Sequence, residues 1–335
     1  MNKLLNLNIF YDPNYWLKQR KLFSKPFSQS SILNSYYRSF YNSNKAVNDN
    51  LIKSGPQKLV NNIIKSFANL ENVEFNLHKH SNYYFCNFDS STHNLVLEAI
   101  ENQKNKVIVG PLYNNNDFLN LVELANHKNN LKIVAASLPA KETMLRISKG
   151  KINPKKIVIL PVGVSSEKNI NHNAMNKSVI TNECLVYFKG RSHTDITYLL
   201  NYLNEKNIKH IVFKNGKYKN KKMIDSAKKS NYGIILGRTE SQGIAINEMM
   251  SVNLPLLVFD SISNYYEGEK FGGTTVPYWD ESCGLKITEL NDIDKYFNSF
   301  KEHIINGKYE PAKFVLQNLS FEAMERNIKN IFENF

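Results

Sequence analysis

The stretch YGIILGRTESQGIAINEMMSVNLPLLVFD, residues 232–260, carries the pattern that decides the fold. A short apolar run opens it, a Gly-containing turn leads into a segment with apolar residues at helical spacing, and a second apolar run closes it. Short apolar runs of this kind are typical of strands buried on both faces of a parallel sheet. The stretch therefore predicts a strand, a turn, a helix and a second, parallel strand.

The predicted helix has one apolar side. Ile246, Met249 and Met250 follow one another at i, i+3 and i+4, and we expect these three residues to form its buried face. Glu248 points away from that face, at about 100° per residue. Glu240 comes before the helix and belongs to the turn. One carboxylate thus lies in the turn and the other on the outer side of the helix that follows.

The same alternation of apolar runs and amphipathic stretches extends over most of the chain. The predicted strands are 73–77, 82–88, 106–110, 132–137, 156–164, 183–190, 210–216, 232–237 and 254–260. Helical stretches of about 10–15 residues separate them, which indicates parallel βαβ units with helices on both faces. The predicted fold class is α/β, with two Rossmann-like, doubly wound domains.

Chain length and patterning predict the domain boundaries. The chain has 335 residues, more than one hydrophobic core usually accommodates. Residues 165–178 are polar and unpatterned, so we place the N-terminal domain at 1–165 and the C-terminal domain at 178–317. The tail, residues 318–335, forms one amphipathic helix that is able to close either domain, including by packing back on the first.

Composition narrows the classes of partner and of compartment. The formal net charge of +13 favours polyanionic partners such as nucleic acid, an anionic membrane surface or a phosphorylated small molecule. The three cysteines have no CxxC spacing, which argues against a disulfide framework and against a thiolate zinc site. The sequence shows no signal-peptide core and no transmembrane segment. We therefore expect a cytoplasmic protein, either soluble or peripheral to a membrane.

Basic and Gly-rich residues follow several of the predicted strands. Lys189, Gly190 and Arg191 follow one strand and Lys214 follows the next. In open parallel sheets ligands bind beyond the carboxyl ends of the strands, so these positions suit an anion. The Glu240 carboxylate would repel a phosphate but would accept hydrogen bonds from sugar hydroxyls. Together these residues indicate a ligand with a phosphate part and a hydroxyl-rich part.

Glu240 and Glu248, separated by seven residues and set between a predicted strand and NLPLLVFD, resemble the E-x7-E signature of a glycosyltransferase class. This class is the retaining, nucleotide-sugar-dependent enzymes with the GT-B fold, of the glycosyltransferase family 4 or group 1 type. KIVILPVGV, LVYFKGR and the stretch 276–297 are similar to segments that flank this signature in the family. The resemblance covers roughly residues 133–296.

The resemblance implies a fold and an activity. It implies two Rossmann-like domains facing across a cleft, and transfer of a sugar from a nucleoside-diphosphate sugar to an acceptor hydroxyl with retention of configuration. The expected acceptor is a glycan or a glycolipid. The nucleotide sugar is a co-substrate, and neither a cofactor nor a metal ion is expected; no Asp-x-Asp motif stands at a predicted strand end.

The resemblance also implies roles for individual residues. Glu240 would hold hydroxyls of the donor sugar, Glu248 would hold the ribose hydroxyls, and Arg191 would stabilise the departing diphosphate. The other donor-binding positions would be Gly190, Ser241, Gln242, Gly243 and Ile244. Many relatives carry a lysine five residues after the arginine, where this chain has Ile196. Lys189 and Lys214 are therefore the candidates for the second phosphate-binding cation.

The acceptor side is predicted from one strand end in the N-terminal domain. Asn87, Asp89 and His93 lie just beyond the predicted strand 82–88, where relatives often carry a histidine that faces the donor sugar. Capping of the following helix is an equally good explanation of Asp89.

Two other functions fit the same residues. The first alternative is a DNA-modifying glycosyltransferase that acts on a hydroxylated base flipped out of the duplex, which the net charge of +13 motivates. The second is a non-catalytic protein that binds a nucleotide or a sugar, which the apolar residue at position 196 motivates.

Overall fold

The computed structural model describes residues 6–11, 55–67, 70, 72–75, 82–90, 92–166, 183–266 and 269–335. The chain divides into two compact units, one made of Met1–Val162 and Met324–Phe335 and the other of Gly163–Ala323. Most of the predicted linker, from residue 167 onward, lies outside the described residues. Each unit is organised around its own parallel sheet.

The first unit contains a six-stranded sheet in the described part of the chain. Its strands are β1 Leu7–Phe10, β2 Val73–Phe75, β3 Asn82–Asn87, β4 Lys106–Leu112, β5 Leu131–Ala135 and β6 Ile157–Ile159. All pairings are parallel and the spatial order is β2-β1-β3-β4-β5-β6. The strand order therefore reverses between β1 and β3.

Within the described residues, four helices of the first unit lie between these strands in the chain. They are α1 Gly55–Phe67, α2 His93–Glu101, α3 Asn115–His127 and α4 Leu138–Ile147. Side chains define two of their starts: Asn114 accepts a hydrogen bond from the Asp117 amide at α3, and Ser137 accepts one from the Ala140 amide at α4. The apolar faces of α2, α3 and α4 pack in one core with buried strand residues such as Phe85.

The described residues of the second unit form a five-stranded sheet and a two-stranded ribbon. The sheet strands are β7 Glu183–Lys189, β8 Lys209–Lys214, β9 Tyr232–Gly237, β10 Leu256–Phe259 and β13 Gly284–Ile287, and the antiparallel ribbon is β11 Ser263–Tyr266 with β12 Glu269–Gly272. The sheet is parallel, with the order β13-β10-β9-β7-β8. Its order reverses between β7 and β9, the kind of switch point at which open α/β sheets bind ligands.

Six further helices follow β7 in the chain. They are α5 His193–Glu205, α6 Asn220–Lys229, α7 Ile244–Ser251, α8 Ile293–Ile305, α9 Pro311–Asn318 and α10 Phe321–Glu333. Most of α10 belongs to the first unit. There the Lys106 ammonium donates to the Phe332 carbonyl at 2.6 Å, and Ser66 Oγ contacts Met324 Sδ at 3.6 Å.

The prediction of two parallel α/β domains is confirmed. Two sheet strands, β1 and β13, and the β11–β12 ribbon were not among the predicted strands. Among the helices within the described residues, none has the length and apolar character needed to cross a membrane.

Candidate functional site

The carboxyl edge of the second sheet brings the ends of β7 and β9 together. Lys189 in β7 pairs with Gly237 in β9, and the Arg238 amide then donates to the Lys189 carbonyl at 3.0 Å. Gly190, which follows β7, has a φ of +69° and lies against the Arg238 side chain. The residues at the two strand ends thus meet at the topological switch point of this sheet.

The turn after β9 places Glu240 beside Lys189. The Lys189 ammonium lies 2.6 Å from Glu240 Oε1 and 2.8 Å from Oε2. The Glu240 side chain is 12% exposed and that of Lys189 is 35% exposed. Burial raises the pKa of Glu240, while the charge and the hydrogen bond of Lys189 lower it. Two residues predicted for the donor site therefore form a partly buried ion pair.

A second carboxylate, that of Asp260, stabilises the turn that carries Glu240. Asp260, buried at the end of β10, accepts a hydrogen bond from the Thr275 amide at 2.7 Å and from the Thr274 hydroxyl at 2.8 Å. The Lys286 ammonium lies 3.4 Å from its other oxygen. The Thr274 carbonyl in turn accepts a hydrogen bond from the Glu240 amide at 2.9 Å. Asp260 thereby fixes the loop on which the Glu240 backbone rests.

Helix α7 starts directly after this turn. Gly243 precedes its first residue with a φ of +63°, a left-handed conformation that favours glycine. The Gln242 carbonyl, on the other side of Gly243, accepts a hydrogen bond from Asn247 Nδ2. The start of a helix favours negative charge, because its amide groups and its dipole point toward the ligand. The Ser241 to Ile244 backbone is thus placed at the same edge as the Lys189–Glu240 pair.

Glu248 lies on the side of α7 that faces α6. Its Oε1 atom is 3.3 Å from Nδ2 of Asn220, the first residue of α6. The side chain is half-buried, whereas Ile246, Met249 and Met250 are buried, which confirms the predicted apolar face of α7. Glu248 is therefore held by a neighbouring helix rather than projecting into solvent.

Two tyrosines that are not among the predicted site residues lie near enough to both glutamates for the carboxylate charges to act on their phenols. Tyr187 in β7 and Tyr218 in the loop after β8 form an edge-to-face pair with ring centroids 6.0 Å apart. Burial raises the pKa of both phenols, and the charges of Glu240 and Glu248 raise it further. Both hydroxyls therefore stay protonated at neutral pH. The only sequence signal was an aromatic residue in a strand and another within a lysine-rich loop.

The remaining predicted cations are differently placed. Arg191 Nε lies 3.0 Å from the Asp195 carboxylate, one helical turn along α5. Ile196 is buried in the core below the sheet edge. Lys214 is exposed at the end of β8, where its neighbour in the register is Phe188. The structure therefore joins Lys189 to Glu240, pairs Arg191 with Asp195 in the first turn of α5 and leaves Lys214 one strand away.

The three residues predicted for the acceptor side lie in the first unit: Asn87 is the last residue of β3, and Asp89 and His93 follow it. Asn87 Nδ2 donates to the Asp89 carboxylate at 2.9 Å, and the Thr92 hydroxyl donates to the Asn87 carbonyl at 3.0 Å. Thr92, rather than Asp89, is the N-cap residue of α2. The His93 ring packs against Phe88, with centroids 5.4 Å apart. Asn87 and Asp89 thus form a small polar cluster at the switch point of this sheet.

In the part of the chain that the structure describes, no group of three or more His, Cys, Asp and Glu side chains is arranged to hold a metal ion. Cys86, Cys184 and Cys283 are free and buried. Burial raises the pKa of Cys184 and of Cys283 to about 12, so neither thiol is ionised at neutral pH.

No family model and no curated protein matches this chain. Among solved structures, the chain is similar to the GtfA/B complex, with 13% identity, a TM-score of 0.49 and coverage of 76% of this chain and 57% of that chain. It is also similar to the pneumococcal O-GlcNAc transferase GtfA in complex with UDP and GlcNAc, with 12% identity, a TM-score of 0.45 and coverage of 75% and 56%.

A third similar structure is the lipopolysaccharide outer core galactosyltransferase WaaB in its apo form. Identity is 12%, the TM-score is 0.47, and the match covers 98% of this chain and 99% of that chain. The chain spans little more than half the length of the first two proteins. All three TM-scores are below 0.5, so these similarities do not by themselves assign an activity or a substrate.

Proposed function

We propose that this protein is a nucleotide-sugar-dependent glycosyltransferase of the GT-B type. It transfers a sugar from a nucleoside diphosphate to an acceptor hydroxyl with retention of configuration, and the acceptor is a glycan or a glycolipid. The observation that carries the proposal is the Lys189–Glu240 ion pair at the switch point of the second sheet, 2.6 Å between its closest atoms. Glu248 follows on the helix that starts from the same turn.

The ion pair gives Glu240 a charge state suited to a sugar. Lys189 lowers the pKa that burial raises, and so favours the ionised carboxylate. A carboxylate has about four lone-pair sites, so contact with Lys189 leaves room for hydrogen bonds from sugar hydroxyls. Glu248 is proposed to bind the ribose hydroxyls, and the backbone from Ser241 to Ile244 is proposed to face the sugar and the diphosphate. Arg191 is proposed to stabilise the charge that develops on the leaving diphosphate.

Ligand-induced stabilisation tests the donor site. The protein is heated with nucleoside diphosphates and their sugars, and a ligand present at 100 times its dissociation constant should add about 2.7 kcal/mol to the free energy of unfolding. Donors that stabilise the protein are then assayed for sugar transfer and for hydrolysis. Stabilisation without transfer or hydrolysis would identify the non-catalytic binder instead, and no stabilisation by any nucleotide would contradict the proposal.

The Glu240→Gln variant tests the assigned residue. Replacing the carboxylate weakens its hydrogen bonds to the sugar, which we expect to lower the affinity for the nucleotide sugar by roughly 10- to 100-fold. The affinity for the nucleoside diphosphate without its sugar should not fall, because the change leaves the positive charge of Lys189 unpaired. Glu123→Gln, on an exposed face of α3 in the first unit, is the matched control. An unchanged affinity of Glu240→Gln for every donor would remove Glu240 from the site.

A further inference from the structure

The positive charges at the carboxyl edge of the second sheet are not equally available to a ligand. Lys189 contacts both oxygens of Glu240, and Arg191 contacts the Asp195 carboxylate. Each of these pairs has no net charge. Position 196 holds a buried isoleucine. Lys214 is exposed but lies one strand away, at the end of β8. A diphosphate bound where β7 and β9 end therefore needs a further cation.

Arg238 lies where β7 and β9 end, beside Gly190. It follows β9 directly, and its backbone amide donates to the Lys189 carbonyl at 3.0 Å. Its side chain runs over Gly190: a Cβ atom at Gly190 would lie 3.0 Å from Arg238 Cδ and 3.4 Å from Nε. Only a residue without a side chain leaves this space to the arginine, and Gly190 also has a φ of +69°.

Arg238 is exposed. Within the part of the chain that the structure describes, its guanidinium makes no ion pair and no side-chain hydrogen bond, whereas the Lys189 ammonium and the Arg191 guanidinium each contact a carboxylate. Its charge is therefore not neutralised by a carboxylate. A guanidinium binds a phosphate through two parallel hydrogen bonds, a geometry that a lysine cannot provide.

We propose that Arg238 binds the diphosphate of the donor, beside the backbone of Gly190 at the switch point of the sheet. The inference rests on the proposed function and adds to it a residue that provides unpaired positive charge where β7 and β9 end. Lys189 cancels the charge of Glu240 two residues away, which would otherwise repel the phosphates. Arg238 thus provides the phosphate-binding positive charge that the buried Ile196 cannot provide.

Binding of inorganic pyrophosphate, of nucleoside diphosphates and of the matching nucleosides tests the inference by calorimetry. We expect Arg238→Met to weaken the binding of pyrophosphate and of nucleoside diphosphates at least tenfold, because a charged double hydrogen bond is lost. The affinity for nucleosides should not change. Arg238→Lys should restore part of the loss. Arg146→Met, an exposed arginine of α4 in the first unit, should bind all probes as the wild type does.

The outcomes separate this inference from the proposed function. If the wild type binds nucleotide sugars and Arg238→Met binds pyrophosphate and nucleoside diphosphates equally well, the inference is wrong and the function stands. An equal loss of nucleoside binding would show that Arg238 acts on the shape of the site, which also overturns the inference. If the wild type binds pyrophosphate through Arg238 but binds no nucleotide sugar, the anion site stands and the function does not. Absence of binding by any probe would overturn both.

Discussion

The charge of Glu240 is set by two opposing influences. Burial raises the pKa of its carboxyl, and Lys189 lowers it, with a net increase. The native carboxyl therefore takes up a proton at a higher pH than the same carboxyl in the unfolded chain. Taken alone, this residue makes the native state less stable at pH values above its raised pKa, and that disadvantage disappears as the pH falls through it.

Lys189→Met should raise the pKa of Glu240 further, because it removes the charge and the hydrogen bond of Lys189, which both lower that pKa. At neutral pH the free energy of unfolding should fall by roughly 1–3 kcal/mol, less than for a fully buried pair, since Lys189 is one-third exposed. The loss should shrink as the pH is lowered, when Glu240 becomes neutral. A carbon-13 titration of the glutamate carboxyls and denaturation at several pH values measure the two effects.

The control for this variant is Lys151→Met, an exposed lysine in the first unit. It should change neither the pKa of Glu240 nor the pH dependence of stability. An unchanged pKa of Glu240 in Lys189→Met would contradict the ion pair.

At the level of elements, the site depends on a connection between β10 and the turn after β9. Asp260 binds the loop through Thr274 and Thr275, and the Thr274 carbonyl receives the Glu240 amide. The connection joins three segments through hydrogen bonds whose donors and acceptors are largely buried. A change at the end of β10 is therefore expected to alter the turn that carries Glu240.

Asp260→Ala should loosen that turn. The Thr275 amide loses its acceptor in a buried position, and Lys286 loses its carboxylate, so we expect the free energy of unfolding to fall by about 2–4 kcal/mol. Hydrogen exchange at the Glu240 amide should become faster than at the amides of β7. The same change at Asp225, an exposed residue of α6, should have neither effect. Unchanged exchange at Glu240 would show that the turn does not depend on Asp260.

The sequence predicted those elements whose pattern is long and regular. Helix α7 and strands β7 and β9 were placed correctly because each has a continuous apolar run or a clear helical spacing. Strand β1 was missed because it has only four residues and one of them is the buried, polar Asn8. Strand β13 was missed because its apolar residues, Leu285 and Ile287, are too few to form a run.

The candidate site was predicted in part for a related reason. Parallel strands bring their carboxyl ends to one edge of the sheet. The order of residues and predicted strands therefore predicts that Lys189, Arg191 and Glu240 lie at that edge. Which cation would meet which carboxylate depends on the turns, and Lys189 and Glu240 are 51 positions apart in the chain. The contacts of Tyr218 with Tyr187 and of Arg238 with Gly190 also depend on the conformation of the turns. No periodic pattern predicts them.

At the scale of the whole molecule, the first unit is assembled from both ends of the chain. Met324, Ile328 and Phe332 of α10 are buried, and Met324 Sδ contacts Ser66 Oγ of α1 across 258 positions of sequence. Lys106 and Lys132 donate to the carbonyls of Phe332 and Asn334, at the end of α10 where positive charge stabilises a helix. The terminal helix is therefore a component of the first unit's core.

Ile328→Ala should destabilise the first unit. Removing a fully buried isoleucine leaves a cavity, and the expected loss is about 2–5 kcal/mol in the free energy of unfolding. Hydrogen exchange should show the increased opening at α1, which lies in the same unit as most of α10. Ile305→Ala, at a residue that is 69% exposed in α8, is the matched control and should change stability little. Equal stability of the two variants would place α10 outside the core.

The return of α10 to the first unit has a consequence for biosynthesis. Residues 324–335 leave the ribosome only after all of the second unit has been made. Until then the surface that receives Met324, Ile328 and Phe332 stays uncovered, so the N-terminal half cannot complete its folding early, as domains made of one continuous segment do. During synthesis this uncovered apolar surface is therefore prone to aggregation and suited to binding by chaperones.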